Sequence, residues 1–317
     1  MHQFLGVTFV LKKSRTSGIN QINKRDYKHY YIMLLPMLVW MVLYNLLPAA
    51  HSVMAFQDYS PSKGILHSPW VGMEVFRYVF TLAETPRVIV NTVIIAFGKI
   101  VGNLVVPLIF ALLLHEMKNA KIKRTVQTVA ILPHFMSWVI LAGIILQLFS
   151  LTGPINMINQ NVFGNEPVLY FAQPGMFRQF IIGTDIWREF GFNAIIYIAA
   201  LTRVDPGLYE ASAIDGAGRW KQLFHITLPA ISMTVVLLAV LSLGNVLNAN
   251  FDQVYNLINP LTRSTGDIID TMVIRVGLES FQYSVAAAMG FLKSGVALIM
   301  IITAYALAYK FADYRVF

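Results

Sequence analysis

The chain has no cysteine. That removes disulfide frameworks, thiolate metal centres and cysteine nucleophiles from consideration. Charge is scarce as well. Only 13% of the 317 residues are Asp, Glu, Lys or Arg, against roughly a quarter in an ordinary soluble domain. No G-x-x-x-x-G-K-[ST] phosphate loop occurs, so any ATP hydrolysis the protein depends on belongs to another polypeptide. The H-E-x-x-H pattern is also missing and the 7 histidines are dispersed, which argues against a clustered metal or catalytic set and hence against a membrane enzyme. No convincing internal repeat is found either. A stand-alone ion-coupled secondary carrier, the main alternative for such a chain, is expected to carry one.

What fills the chain instead is apolar sequence: 56% of residues are hydrophobic and the mean hydropathy is +0.61. Stretches of about 20 mostly apolar residues mark bilayer-spanning helices. Six are predicted, near Tyr31–Met54, Val88–Leu114, Thr125–Phe149, Ile181–Thr202, Ala230–Asn250 and Ala287–Tyr309. The first, third and fifth are free of charge in their apolar stretch, whereas the second contains Lys99, the sixth Lys293, and the fourth Asp185, Arg188 and Glu189. The runs are too long for strands and lack a period of two. The predicted fold is therefore all-α and integral to a membrane.

Orientation follows from the basic residues between spans. The N-terminal tail, the second and fourth connections and the C-terminal tail (Lys310, Arg315) together hold 15 Lys and Arg, against 6 on the opposite side. Basic residues are retained in the cytoplasm, so both termini and the fourth connection are expected inside the cell. The predicted domains are a basic cytoplasmic tail at 1–29 and a six-helix permease domain at 30–317. The short apolar patch Phe4–Leu11 precedes the basic block and reads as an interfacial or unstructured segment rather than a signal peptide. The net charge of +8 invites a nucleic-acid reading, but the cations are scattered between apolar segments, and topology explains them better.

The fourth connection, 204–229, is polar and rich in small residues. Asp205-Pro206 is a helix start, with Asp able to cap free N–H groups and Pro suited to the first helical position. About two turns over Leu208–Ile214, a turn at Gly216-Ala217-Gly218, and a second short helix over Arg219–His225 are predicted to follow, with Pro229 opening the fifth span. Glu210, Ala211, Asp215, Gly216, Ala217, Ile226, Leu228 and Pro229 fit the pattern E-A-A, D-G-A, I-x-L-P at its expected spacing. Such a match at one chosen place arises by chance less than about once in a billion. The segment resembles the cytoplasmic coupling loop of binding-protein-dependent ABC importer permeases. Ser212 stands where the family usually has its second Ala. Small residues there permit close approach of a partner, Gly216 allows a backbone that a side chain would hinder, and Glu210 and Asp215 can accept charge-assisted hydrogen bonds from that partner. Trp220 and Phe224 are expected to anchor the far side against the membrane helices.

The resemblance extends over most of the chain and is strongest to carbohydrate-uptake permeases, in the branch of oligosaccharide and lipoprotein-linked polysaccharide transport. Leu34-Leu35-Pro36, Ala55-Phe56-Gln57-Asp58-Tyr59, Ser68-Pro69-Trp70-Val71-Gly72, Ile268-Ile269-Asp270-Thr271 and Arg275-Val276-Gly277-Leu278 carry it beyond the loop. It implies a type I importer fold in a bacterial inner or plasma membrane. It also implies a second homologous permease subunit, two ATPase subunits that hold ATP and Mg, and an extracytoplasmic solute-binding protein that delivers the sugar. No cofactor and no enzymatic activity are expected of this chain.

Polar side chains within spans are functional-site candidates by default. Lys99 and Asn103, His134 and Trp138, Asn193 and Tyr197, Asn245 and Asn248, and Lys293 form a candidate substrate path, since aromatic faces stack on sugar rings while amides and cations bind hydroxyls or carboxylates. For any one of them the ordinary reading is a helix–helix hydrogen bond or an interface anchor. Lys99, Arg188 and Lys293, two of them without an acid adjacent in sequence, raise the expectation of an acidic, uronate-containing ligand. The segment 251–286 is too polar to span and is expected to dock the binding protein or shape an outer gate.

Overall fold

In the computed structural model the described residues are 24–244 and 250–312. The patch Phe4–Leu11, the path candidates Asn245 and Asn248, and Arg315 lie outside them. The chain divides into two units, Met1–Ser52 and Val53–Phe317. In the first, helix α1 (Lys24–Met41) runs on through a π-turn at Val42–Leu46 into Leu47–Ala50. Its described side chains are exposed, and Trp40 stacks on Tyr44 with ring centroids 4.2 Å apart.

The second unit is built on a helix pair. α2 (Thr85–Glu116) and α5 (Pro174–Leu201) lie against each other along much of their length. The sequence permits this closeness through the spacing Gly98-x-x-x-Gly102, where an added Cβ would run into the side chains of Ile182 and Ile186. Small residues at that interval let helix backbones approach in a membrane. Pro107 sits inside α2 without ending it.

The third predicted span is not one helix. α3 (Ala120–Ile131) gives way to a 3₁₀ turn at Leu132–Phe135, and α4 (Trp138–Leu148) leaves at an angle, the two halves meeting at 107°. Pro133 removes a backbone donor, and the chain leaves helical geometry at Met136 and Ser137, both extended at ψ 140° and 149°. Ser137 then restarts it by capping the Ile140 amide at 3.4 Å.

After α5 come α6 (Pro206–Ile214), α7 (Leu228–Gly244), α8 (Phe251–Leu257), α9 (Ile269–Ile274) and α10 (Tyr283–Ala312). By length and composition 4 helices can cross a bilayer: Lys28–Phe56, Thr85–Glu116, Arg219–Ser242 and Tyr283–Thr303. The bent pair makes a fifth. α5 is long enough but carries Arg178, Asp185, Arg188 and Glu189, so the count of six is approximate. Among the described residues there is no strand, only an isolated bridge between Gln57 and Trp70.

α8 and α9 pack near the N-terminal half of the α2–α5 pair. There Asn91 donates to the Asp267 carbonyl at 3.1 Å, and the Ile269 amide donates to Thr92 Oγ1 at 3.0 Å. The 204–229 connection meets the opposite end, where the rings of His115 and Tyr209 lie 6.4 Å apart. One helix pair therefore runs from the 251–286 segment to the 204–229 connection.

Candidate functional site

The connection folds much as its residues dictate. Asp205 caps α6, its carboxylate accepting from the Gly207 amide at 2.9 Å, and Pro206 takes the first helical position. Gly216 adopts φ +76°, a left-handed conformation that a side chain disfavours, and open space surrounds the position of its missing Cβ. Neither half of the hairpin is loose. Ser212 Oγ donates to the Tyr209 carbonyl at 2.9 Å and accepts from Gln222 Nε2 at 3.0 Å, while Tyr209 Oη lies 3.0 Å from buried Thr227 Oγ1. The departure from the family pattern at Ser212 thus supplies a brace that Ala could not. No single-residue feature of Tyr209, Gln222 or Thr227 singles them out in the sequence.

Two expectations for this segment need correction. Arg219–His225 is not a separate surface helix, and Pro229 does not open the fifth span. Instead one rod runs from Arg219 to Ser242, with a π-turn at Leu223–Thr227 just before Pro229. The wider turn accommodates a proline that has no N–H to give. Nor are Trp220 and Phe224 pressed into the membrane helices. They are 75% and 57% exposed, stack on each other, and leave Trp220 at the edge of a groove of about 510 Å³ beside Leu113 and Leu223.

The outward face of α6 is bare. Glu210, Ala211, Ala213, Ile214 and Asp215 are all exposed, Ile214 to 87%. Among the described residues no side chain pairs with the carboxylates of Glu210 or Asp215. Ala217, Ile226 and Leu228 are half-buried, Leu228 against the cluster of Ala111, Tyr197 and Ile231.

Within the spans, the polar candidates gather into two knots. The first centres on Asp185, buried between α2 and α5. Lys99 stands 3.3 Å from one carboxylate oxygen and also donates to Gln253 Oε1. Asn103 donates to the other oxygen at 2.9 Å, and Asn250, at φ +49°, reaches Asp185 at 2.5 Å. Gln253 in turn donates to the Ile181 carbonyl at 2.7 Å and to Thr184 at 2.8 Å. Asn193 touches Asn103 at 3.5 Å, the limit of hydrogen bonding. Tyr197, fully buried, gives its hydroxyl to the Leu104 carbonyl at 3.2 Å.

The second knot fastens the broken span. Arg188 donates to the carbonyls of His134 and Met136 at 3.0 and 3.2 Å, which the break frees from helical bonding. It also pairs with Glu189 at 2.5 Å and lies 5.0 Å over the Trp138 ring. His134 Nδ1 sits 2.7 Å from Glu189, and its ring stacks on Phe192. Lys293 belongs to neither knot. It bonds Asp270 at 2.6 Å on the wall of an open cavity of about 420 Å³ that Asn250, Phe251 and Asp252 also line.

The structure therefore overturns the stated ground for an acidic ligand. All three cations have a carboxylate within 4 Å: Lys99 has Asp185, Arg188 has Glu189 and Lys293 has Asp270. The partners of Lys99 and Lys293 are distant in sequence, which is why spacing could not reveal them.

Long apolar helices around a braced, exposed hairpin define an integral membrane permease subunit. No protein-family model matches the chain. It is 41% identical over 288 residues to the polygalacturonan/rhamnogalacturonan transport system permease protein YteP of Bacillus subtilis (strain 168), covering 90% of this chain and 89% of that one. Protein LplB of the same organism is 40% identical over 289 residues, covering 91% and 90%. Among solved structures, a bacterial ABC transporter involved in the import of the acidic polysaccharide alginate matches with a TM-score of 0.81 and 33% identity, covering 91% of this chain and 97% of that one. The chain belongs to the sugar permease family of ABC importers. That membership displaces the stand-alone carrier.

Proposed function

We propose that this chain is one of two permease subunits in an ATP-driven importer of acidic oligosaccharides. Its partners are a second homologous permease, two ATPase subunits that bind ATP and Mg, and an extracytoplasmic solute-binding protein. Both termini and the 204–229 hairpin face the cytoplasm, residues 1–29 form a tail and 30–317 the permease domain. The observation that carries the reading is the bare face of α6. A braced helix that exposes Glu210, Ile214 and Asp215 with no internal role for them has the form of a part that seats in another protein.

Mechanism follows from that form. Glu210, Ala211, Ser212, Asp215, Gly216 and Ala217 meet an ATPase surface, and Ile226, Leu228 and Pro229 lie within the rod 219–242 that receives the displacement. When the ATPase subunits close, the displacement passes to the rod directly, because the Ser212–Gln222 and Tyr209–Thr227 hydrogen bonds tie α6 to it across the glycine turn. The buried Asp185 knot keeps α2, α5 and α8 moving as one body. Lys293 stands on an open cavity wall, where an incoming carboxylate can exchange with Asp270. Relatives named for polygalacturonan and for the acidic polysaccharide alginate support uronate-containing ligands.

The test is ATPase activity of the reconstituted complex with ligand-loaded binding protein, for wild type, Glu210→Ala and Gly216→Asp. Stimulation should appear in wild type and be lost in both variants while the complex still co-purifies. Glu210→Ala should melt like wild type, since its carboxylate has no partner among the described residues. Stimulation that survives both changes would sink the coupling role.

A further inference from the structure

The positive-inside pattern leaves few basic residues outside: Lys63, Arg77, Arg87, Arg178, Arg263 and Arg275 are the 6. Four of them, contributed by three different connections, converge on one spot at the N-terminal ends of α2 and α5. Arg178 Nη2 donates to Asn91 Oδ1 at 2.5 Å and its Nε to the Thr265 carbonyl at 3.1 Å. Arg275 bonds Asp267 at 2.5 Å and Glu84 at 2.9 Å. Asp267 is engaged again by Thr271 at 2.6 Å. Burial works to lower the pKa of Arg275, and Asp267 and Glu84 override it, so the group sits above its ordinary value and its charge is permanent.

Arg87 and Arg263 are different. Both are exposed and line one shallow cleft of about 40 Å³ with Glu84, Val88, Ser264 and Asp267. Among the described residues no side chain pairs with either guanidinium. The two acids of the cleft are already held by Arg275. Four arginines against Glu84 and Asp267 leave a local excess of two positive charges, on the side of the protein where cations are otherwise avoided. Nothing in the packing requires Arg87 or Arg263 to be charged.

We propose that the Arg87–Arg263 cleft is a docking point for an acidic patch on the extracytoplasmic solute-binding protein. This rests on the importer reading above and names the residues and the charge of its outer contact. A protein partner fits better than the sugar. The cleft is far below the roughly 300–1,000 Å³ of a small-molecule site, whereas exposed arginine at a rim is a preferred interface residue that steers association and binds carboxylates bidentately. The fixed Arg275–Asp267 and Arg178–Asn91 pairs hold the rim rigid, so little ordering is needed on contact.

The experiment uses the complete reconstituted complex and its cognate solute-binding protein, loaded with oligogalacturonate. ATPase rate is titrated against binding-protein concentration at low and physiological salt. For Arg87→Glu/Arg263→Glu the half-saturating concentration should rise about tenfold or more, with weaker salt dependence and unchanged basal and maximal rates. The Arg87→Lys/Arg263→Lys pair keeps the charge but not the bidentate fork, and its half-saturation should fall between wild type and the Glu pair. An unchanged half-saturation in the Glu pair overturns the proposal. So does a loss in the Lys pair as large as in the Glu pair, which would assign the effect to local packing. Competition by excess free oligogalacturonate on wild type would put saccharide in the cleft instead. If wild type itself fails to respond to binding protein, the importer reading and this inference fall together. A responsive wild type with an indifferent Glu pair removes this inference alone.

Discussion

The middle of the α2–α5 pair and the hairpin at its far end use polar residues in opposite ways. At Asp185, 2% exposed, Lys99, Asn103 and Asn250 all turn toward one carboxylate. At Glu210 and Asp215 the carboxylates face outward and the backbone alone sets their position. A buried charge without a partner is expensive, so the interior must complete its own network. The hairpin avoids that cost by keeping its carboxylates in water. The same side-chain chemistry thus marks structure in one place and, on the coupling role proposed above, an unfinished interface in the other.

Lys99→Ala should break this contrast most severely, because it leaves Asp185 buried beside amides alone. The expected loss is about 3–5 kcal/mol, read as a lowered Tm of the detergent-solubilised complex. The double change Lys99→Met/Asp185→Leu should recover most of it. A melt unaffected by Lys99→Ala would mean that water reaches the knot. A smaller effect is expected of Gly191→Ala, which directs a methyl at the Ala130 backbone carbonyl where α3 meets α5. Neither backbone can yield easily, and about 1–3 kcal/mol is expected. Agreement with wild type would imply that α3 shifts freely against α5. Gly216→Ala has the least reach. Open space around the Cβ leaves only the positive φ, an expected local strain of about 1–2 kcal/mol. Limited proteolysis should find the hairpin more readily cut while the Tm of the spans barely moves. A large fall in that Tm would show that hairpin and spans are less separate than their burial implies.

The hairpin was legible from sequence because its determinants are local: an Asp-Pro start, a glycine with positive φ, and a compact spaced motif. The long helices were legible because hydropathy reports length. The break in the third span was not, since Leu132-Pro133-His134-Phe135 stays apolar enough to keep a sliding average high. Pro133 was the available signal, and the following Ser137 marked the restart. The Asp185 knot was half visible. Lys99 and Asn103 stood out as polar residues one turn apart, but Gln253, 154 residues away, is reached only through the fold. Lys293 and Asp270 were hidden in the same manner, and reading their charges separately gave a wrong reason for an acidic ligand. Asn193 and Tyr197 share a face as their spacing implies, yet Tyr197 is sealed against Leu104.

The brace at Ser212 has a consequence for assembly. With Gln222 and Tyr209 already holding the hairpin in shape, the docking part of the proposed coupling exists before its ATPase receptor does. Association then need not freeze a loose loop, a step that takes roughly 0.5–1.5 kcal/mol for each side chain immobilised. Recognition becomes closer to fitting a key that is already cut. A permease made ahead of its ATPases would wait in the membrane with that key exposed.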